Sequence, residues 1–593
     1  MTAPEPLTSS QRKLLALLFI VVAISRFFAL STTQLDWDES LLSEGVREYD
    51  VVPHHPHPPG YPLFILAAKV MRLFIRDDFR ALQSVATLAS ILLFPAVFAL
   101  ARELRFRFAI AATAAMLTAF LPTLWYYGGT ALSDVPALFA VVTASALLLA
   151  GCRSDRAWLA GMLMVGVVAG IRPQHVLIAL MPMALAAWSL RRLRTIALGL
   201  LLCGSVGFVS YAGAAFASKN PPWGYLEQVG VIAGHIGNTD SFQNPTRPPL
   251  RELAPRFFFE ALRGGRTGRI LLALSAIAII HSLIRRRPAV WIVLAMFVPI
   301  AVMSWMLLDT TAVNRYALAY LILFSIFAIA GLDILATPLR RWPLLRDSVT
   351  GFGGTALTVA LIIWAWPGLK VIRGHPSPPV AAMRWLRANV PSTGARLWID
   401  DSLGYHAGYQ LPDHRPKYFG RYSQIPGEAY ANGNYLLVDK IPLQSHARIF
   451  RFERKRLAEI ARTSYFEISL VPMHLMTRFV EGWYQDEWDA AHNWLWMGRT
   501  SRTLLPGIGG TGTLLLRFHA PLDTMPHPPT MDVSWNGELL ERSKLTEAAG
   551  ERKYVLPSRA GVPNELKIEM DTVARTSADP REFGLQMFEV RWE

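Results

Sequence analysis

Cysteine is scarce in this chain, which has two cysteines in 593 residues. Cys152 and Cys203 lie in or beside apolar runs, and the region after residue 375 has none. A disulfide framework is therefore excluded as the support of the C-terminal region. No glycine-rich nucleotide-binding loop is visible either, so the sequence gives no sign of a nucleotide site.

Charged residues are also few, at 17% of the chain, whereas soluble domains carry roughly a quarter. Hydrophobic residues make up 52%, and the mean hydropathy is +0.28. One soluble core cannot bury so much apolar surface. Apolar runs, many of about 18 residues or more, recur from Leu14 to Trp366, and that length crosses a bilayer. The sequence predicts a polytopic α-helical membrane protein with a polar C-terminal region.

About eleven runs are predicted to span the membrane. They cover residues 14–31, 82–101, 108–127, 135–152, 157–171, 175–190, 195–217, 269–284, 289–307, 316–335 and 349–367. The apolar stretch Tyr61–Ile75 is left out because Lys69 and Arg72 would be costly at the bilayer centre. We predict that it is a helix along the outer interface.

The net charge of +15 is concentrated in short loops between the runs. Basic clusters mark alternate ends of the spans, which is the positive-inside pattern of a membrane protein and not a nucleic-acid footprint. The clusters begin at Arg12, Arg102, Arg153, Arg191, Arg285 and Arg340. This pattern predicts a cytoplasmic N-terminus, no cleaved signal peptide, and an extracytoplasmic C-terminal region in an inner (plasma) membrane, bacterial by our interpretation.

The first outer loop carries the acidic run "QLDWDES", followed by "HHPHPPGYP". A carboxylate just beyond a span lies in a partly desolvated interface and can accept a proton from a sugar hydroxyl. Asp38 and Glu39 are the candidates. The alternative interpretation is that these acids only solvate a helix end.

This arrangement resembles the first outer loop of the GT-C glycosyltransferases, in the branch of the protein O-mannosyltransferases and aminoarabinose transferases. In that family an Asp-Glu pair follows the first span and a Pro-Pro element closes the loop. Here these correspond to Asp38-Glu39 and His57-Pro58-Pro59. The resemblance implies that Asp38 is the general base and that Glu39 binds the acceptor or positions the loop. It covers residues 14–335 well and the C-terminal region only loosely.

Four further outer residues fit the same interpretation. Asp134, in "TALSDVPALF", could orient a substrate, or it could simply begin a helix. Arg172 and Arg315 could hold a phosphate with their planar guanidinium groups, or anchor helices at the interface, and Tyr316 follows Arg315. In this hypothesis one phosphate-linked sugar donor contacts both Asp38 and Arg315. The two residues must therefore share a pocket.

Three histidines, His54, His55 and His57, are clustered in the first outer loop. Their spacing does not match a structural zinc signature, and no cysteine joins them. We expect a role in loop structure, or sugar contact by His57, and no metal or other cofactor. Metal binding is the alternative.

The predicted domains are 1–375, the membrane glycosyltransferase domain; 376–472, a small mixed α/β domain; and 473–593, a β-sandwich resembling a jelly roll. Residues 447–463 are predicted to form a basic helix, and Asn536-Gly537 to form a hairpin turn. Trp483, Trp488, Trp494 and Trp496 could stack on sugars, although such tryptophans are more often part of a core.

The hypothesis is therefore an inverting glycosyltransferase that moves a sugar from a polyprenyl-phosphate donor to a hydroxyl of a glycan, lipid or protein. Its partners are that donor, that acceptor and membrane lipids. The alternatives are a transporter or flippase for a lipid-linked glycan, and a noncatalytic subunit for envelope assembly. A transporter predicts paired repeats and broken helices at mid-membrane, and no clear repeat is visible.

Overall fold

A computed structural model describes residues 3–394, 396–420, 424–439, 441, 443–453, 456–461, 466–488, 493–575 and 579–593, apart from the side chains at 485, 486, 488 and 493. The chain divides into two compact units. The first consists of Met1–Ser377 and Phe452–Phe466, and the second consists of Pro378–Arg451 and Glu467–Glu593.

The first unit is a helical bundle. Its long helices, within the described residues, are α1 Ser9–Arg26, α4 Asp78–Glu103, α5 Phe108–Ala119, α7 Asp134–Gly151, α8 Asp155–Ile171, α9 Val176–Leu190, α10 Leu193–Ala217, α13 Arg266–Ile284, α14 Pro288–Leu307, α16 Leu318–Leu335 and α17 Pro343–Gly374. Each predicted span overlaps one of them, so the polytopic helical fold is confirmed.

Short helices lie between the long ones. They are α2 Trp37–Arg47, α3 Pro62–Arg72, α6 Pro122–Tyr127, α11 Trp223–His235, α12 Leu250–Pro255, α15 Val313–Tyr316 and α20 Leu457–Ile460. The predicted span 108–127 is divided into α5 and α6, because Pro122 has no N–H to continue the helix. The α3 helix has 11 residues, which is about 16 Å and too short to span a bilayer. Its interfacial position remains a prediction.

By length and composition, eight helical segments of the described chain can cross a membrane. Their burial differs sharply. In α7 and α16, 78% of the most apolar stretch is buried, whereas in α10 only 11% is. Helices α7 and α16 therefore form the centre of the bundle. The α10 helix presents Leu201 and Phe208 outward, and such a surface is stable only against lipid or another apolar partner.

The second unit begins with helices α18 Pro378–Asn389 and α19 Gly404–Gln410. The unit also contains a five-stranded mixed sheet, in the order β2-β1-β3-β5-β4, whose first strand lies between these two helices in the chain. Its strands are β1 Leu397–Asp400, β2 Lys417–Phe419, β3 Tyr435–Val438, β4 Arg448–Arg451 and β5 Glu467–Pro472. The predicted basic helix over 447–463 is wrong. Residues 448–451 pair with β5 as a strand, and among the described residues of this range only Leu457–Ile460 is helical, in the first unit.

Eight further strands form the C-terminal sheet, in the order β10-β9-β12-β7-β13-β8-β11, with β6 paired to β7. They are β6 Arg478–Trp488, β7 Asn493–Leu505, β8 Gly510–His519, β9 Thr530–Trp535, β10 Glu538–Lys544, β11 Ala549–Ser558, β12 Asn564–Met570 and β13 Gln586–Trp592. The predicted turn at Asn536-Gly537 is confirmed, since both residues have positive φ between β9 and β10.

One hydrophobic cluster forms the core at the C-terminal sheet. It contains side chains of β9 and β12 together with side chains of β8 and β13. Trp535 and Trp592 meet in it with ring centroids 4.8 Å apart. This shared core supports the sandwich interpretation, and the jelly-roll likeness remains a prediction. Trp483 and Trp496 pack against the core, Trp494 donates from Nε1 to Glu487, and the side chain of Trp488 lies outside the described part. Sugar stacking by these tryptophans remains a prediction.

The close packing of α13 against α16 can be tested by substitution. A Cβ at Gly331 would lie 2.0 Å from the carbonyl oxygen of Leu274, so alanine at this position forces the two helices apart. We expect Gly331→Ala to cost about 1–3 kcal/mol and to lower the apparent Tm of the detergent-purified protein by several degrees. Gly351→Ala is the matched control, because its Cβ meets nothing within 4 Å. An unchanged Tm for Gly331→Ala would contradict this helix contact.

Candidate functional site

The first loop after α1 starts a helix that presents adjacent acids in different directions. Asp36 is the N-cap of α2, and Glu39, three residues on, completes a capping box. Glu39 Oε2 accepts hydrogen bonds from the backbone N–H groups of Leu35 and Asp36. Its other oxygen accepts from the N–H of Ala131 at 2.7 Å. Glu39 is fully buried and fastens the start of α2 to the segment before α7.

Burial raises the pKa of Glu39 to about 7, opposed by the three N–H donors, which favour the ionised carboxylate. The sequence-based expectation is that Glu39 either binds the sugar acceptor or positions the loop. The hydrogen bonds of Glu39 all come from backbone N–H groups, so they give no support to contact with the sugar acceptor. The other half of the expectation, a loop-positioning role, fits them.

Asp38 faces the bundle and begins a chain of alternating charges. Arg315 Nη1 donates to Asp38 Oδ2, and Arg315 Nε donates to Asp134 Oδ2 at 3.0 Å. Arg172 Nη1 lies 3.0 Å from the other oxygen of Asp134. The chain thus runs Asp38–Arg315–Asp134–Arg172, and all four side chains are largely buried, with Arg315 only 3% exposed. Asp38 and Arg315, which the hypothesis requires to share a pocket, are in direct contact.

The elements explain how each member reaches this point. Asp38 lies in the first turn of α2, and Asp134 begins α7. Arg172 is the C-cap of α8, in extended conformation before Pro173. Arg315 lies in the four-residue helix α15, directly before α16. Every member therefore stands at a helix end, where the chain leaves the bundle.

The donor capacity of the two arginines is not exhausted. Arg172 uses Nε on the hydroxyl of Ser133 at 2.9 Å, and Arg315 uses Nε and Nη1 on the carboxylates. Nη2 of either guanidinium group makes no hydrogen bond within the part of the chain that the structure describes. The cluster can therefore give N–H donors to a further anion without breaking its internal contacts.

His57 and Tyr61 close the loop side of the cluster. His57 Nδ1 lies 3.8 Å from Asp38 Oδ1, and its Nε2 lies 2.7 Å from the Tyr61 hydroxyl. The Tyr61 ring in turn lies 5.4 Å from the guanidinium carbon of Arg172. Burial lowers the pKa of His57, Asp38 raises it, and the two arginines lower it further, so the ring is neutral at pH 7.

Tyr316 lines a small cavity with Asp134, Arg172 and Arg315. Gln174 and His175 line it as well, and sequence reasoning missed both, although they lie two and three residues after Arg172. It also missed Ser133, for which the neighbouring Asp134 was the only signal, and Asn314. The Asn314 side chain donates to the backbone of Glu459 and accepts from Arg263 Nε, which holds α15 in place.

The histidine cluster is divided between different partners. His54 Nε2 lies 3.4 Å from Gln228 Oε1, while His57 faces Asp38 and Tyr61. Across the described residues, no group of three His, Cys, Asp or Glu side chains has the geometry to hold a metal ion.

The bonding of Glu39 leads to a test of stability and its pH dependence. Glutamine cannot accept from all three N–H groups, so Glu39→Gln should cost about 1–3 kcal/mol. The folded pKa lies above the ordinary 4.5, so the folded protein binds more protons between these values. Wild-type stability should therefore fall as pH rises from about 5 to about 7, and the variant should lose this component.

Apparent Tm between pH 5 and 8 measures both effects of Glu39→Gln. Glu48→Gln is the control, because Glu48 is exposed in the same loop. A variant as stable as wild type, with the same pH profile, would rule out a structural role for Glu39.

Comparisons with models of known protein families and with curated proteins give no match. Among solved structures, ArnT from Cupriavidus metallidurans bound to undecaprenyl phosphate is similar at 14% identity and a TM-score of 0.45, over 77% of this chain and 97% of that one. Oligosaccharyltransferase AglB from Archaeoglobus fulgidus, with an inhibitory peptide and a dolichol-phosphate, is similar at 12% identity and a TM-score of 0.45, over 73% and 70%.

Arabinofuranosyltransferase AftD from Mycobacteria is similar at 12% identity and a TM-score of 0.45, over all of this chain and 62% of its own. At these identities and scores the likeness carries no argument about the reaction, which rests on the site's own residues.

Proposed function

We propose that the chain is a membrane glycosyltransferase that moves a sugar from a polyprenyl-phosphate donor to an acceptor hydroxyl. The observation that carries this proposal is the buried contact of Asp38 with Arg315. It combines a proton acceptor and a phosphate ligand within one cluster, and transfer from a phosphate-linked sugar needs both.

Asp38 is the proposed general base. The acceptor hydroxyl gives its proton to the Asp38 carboxylate while its oxygen forms a bond to the anomeric carbon. The bond between that carbon and the phosphate oxygen breaks, and its electron pair leaves with the phosphate. One direct displacement of this kind inverts the configuration at the anomeric carbon.

Arg315, with Arg172, is the proposed phosphate ligand. The Nη2 groups of the two guanidinium ions supply donors for phosphate oxygens, and their charge stabilises the negative charge that develops on the leaving group. Asp134 bridges the two arginines and sets their orientation. In the proposed step the two arginines, and not a metal ion, stabilise the leaving phosphate.

The surrounding residues have supporting roles in the proposal. Glu39 positions α2 through its backbone contacts. His57 is neutral and lies beside Asp38, so it is placed to contact a sugar hydroxyl. Tyr316 lines the same cavity as the arginines and contributes a wall of the donor site.

The carrier and orientation follow from separate arguments. AglB and ArnT have been solved with dolichol-phosphate and undecaprenyl phosphate, and a carrier of this class suits a site at the ends of apolar helices. Basic clusters at alternate ends favour a cytoplasmic N-terminus, which puts the site and the C-terminal region outside the cytoplasm, in a bacterial inner membrane. The acceptor is a glycan, a lipid or a protein hydroxyl.

A flippase or transporter for a lipid-linked glycan is the second candidate, and a noncatalytic assembly subunit is the third. A transporter carries its ionic residues on broken helices near mid-membrane. In this cluster the ionic residues stand at helix ends, which favours an enzyme. Neither alternative transfers sugar when the protein is purified in detergent.

Asp38→Asn tests the base. The side chain keeps its size and one oxygen for Arg315 but cannot accept the proton. We expect sugar transfer to fall by about 10²- to 10⁴-fold, with donor binding retained. The measurement is transfer of radiolabelled sugar from a polyprenyl-phosphate donor to membrane extract by purified protein. Glu48→Gln, an exposed acid of the same loop, should transfer normally. A fully active Asp38→Asn enzyme would remove Asp38 from the mechanism.

Arg315→Lys tests the phosphate ligand. Lysine keeps the charge but has a single ammonium group, which cannot bridge two carboxylates and also bind phosphate. We expect kcat/KM for the donor to fall by about 10²- to 10³-fold, with weaker donor binding, in contrast to Asp38→Asn. Arg251→Lys, at an exposed position of α12, is the control. Normal donor affinity in a folded Arg315→Lys protein would exclude the proposed phosphate contact.

A further inference from the structure

A second cavity lies at the end of the bundle opposite to the ion-pair cluster. It is formed where α4 turns into α5 and α13 turns into α14, against the last turns of α16. Its volume is about 490 Å³. Cavities of this size hold small organic ligands, and the proposed glycosyl transfer makes no use of this one.

The wall of this cavity is mostly apolar. It is built by Leu104, Phe106, Ile110, Ile292, Phe327 and Ile334. Helices α5, α14 and α16 contribute four of these side chains, and the turn between α4 and α5 contributes Leu104 and Phe106, while the mouth opens at the helix ends. An apolar wall of this kind suits a hydrocarbon chain and offers little to a free polar metabolite.

The mouth of the cavity is basic. Arg105 and Arg287 line it, from the turn between α4 and α5 and from the residue before α14. Arg287 is exposed, and its side chain makes no ion pair or hydrogen bond within the described residues. Exposed Arg285 and Arg286 directly precede Arg287 and add to the positive potential.

Among the described residues, one acid lines the cavity, and its charge is already compensated. Asp333 pairs with Arg107 and with Arg346, the latter at 2.6 Å. It also accepts a hydrogen bond from the Thr350 hydroxyl. Because two guanidinium groups neutralise this carboxylate, it does not cancel the attraction of Arg105 and Arg287 for an anion.

We infer that this cavity binds an anionic phospholipid of the bilayer, with an acyl chain against the apolar wall and the phosphate at Arg105 and Arg287. An apolar chamber with a basic mouth at the helix ends matches the two parts of such a lipid, whereas the arginines repel the positive headgroup of a zwitterionic lipid. The inference does not depend on the proposed glycosyl transfer, since it concerns the other end of the bundle.

The test measures lipid binding by the full-length, detergent-purified protein. Vesicles of phosphatidylglycerol or phosphatidylcholine are added, and the rise in apparent Tm and the lipid retained in native mass spectrometry are recorded. We expect phosphatidylglycerol to raise the Tm more and to be retained preferentially. Arg287→Gln should weaken phosphatidylglycerol binding about fivefold, which is the contribution of one basic residue near a membrane surface.

Two further variants make the assignment specific. Arg340→Gln removes the same charge at the same end but outside the cavity, so phosphatidylglycerol binding should stay within twofold of wild type. Ala289→Trp fills the cavity and should reduce retention of phosphatidylglycerol in a protein of normal Tm without lipid. Equal binding of both lipids by wild type, or equal losses in the Arg287 and Arg340 variants, would overturn the inference.

Discussion

Two buried arginines shared between two buried carboxylates hold the candidate site together. Arg315 reaches Asp38 across 277 residues of sequence and Asp134 across 181. Taking these charges out of water is expensive, and the cost is recovered only if each charge meets its partner at close range. Helices α2, α7, α8 and α15 must therefore all be in place before the cluster is stable. The helical bundle and the candidate site must consequently assemble together.

Helix geometry explains why neighbouring acids have different surroundings. Asp36, Asp38 and Glu39 are the N-cap and first-turn residues of α2, where unpaired N–H groups favour carboxylates. Consecutive helical residues point about 100° apart, as 3.6 residues per turn require. Glu39 therefore turns back to the cap and to Ala131, while Asp38 faces Arg315. Because Glu39 and Asp36 satisfy the helix start, Asp38 is released from that task.

The sequence predicted what depends on local pattern. Apolar length predicted the helices, and Asn536-Gly537 predicted the β9–β10 turn. Structure that depends on partners distant in the sequence was harder to predict. Residues 447–463 look like a basic helix, but pairing with β5 overrides that propensity at Arg448–Arg451. The contact of Asp38 with Arg315 was required by the hypothesis, whereas the Ala131 contact carries no sequence signal and Ser133 is marked only by its neighbour Asp134. Backbone N–H donors and single hydroxyls occur throughout the chain, so the sequence does not show which of them makes a specific contact.

The charge balance of the cluster bears on how the proposed reaction could be timed. Two carboxylates and two guanidinium groups sum to zero, so an arriving phosphate competes with the carboxylates for the positive charge of the arginines. Arg315 is the arginine that also compensates Asp38. As a phosphate draws on that guanidinium group, Asp38 keeps less of its compensation and accepts a proton more readily. In the proposed reaction, the donor that needs a base would therefore itself strengthen that base.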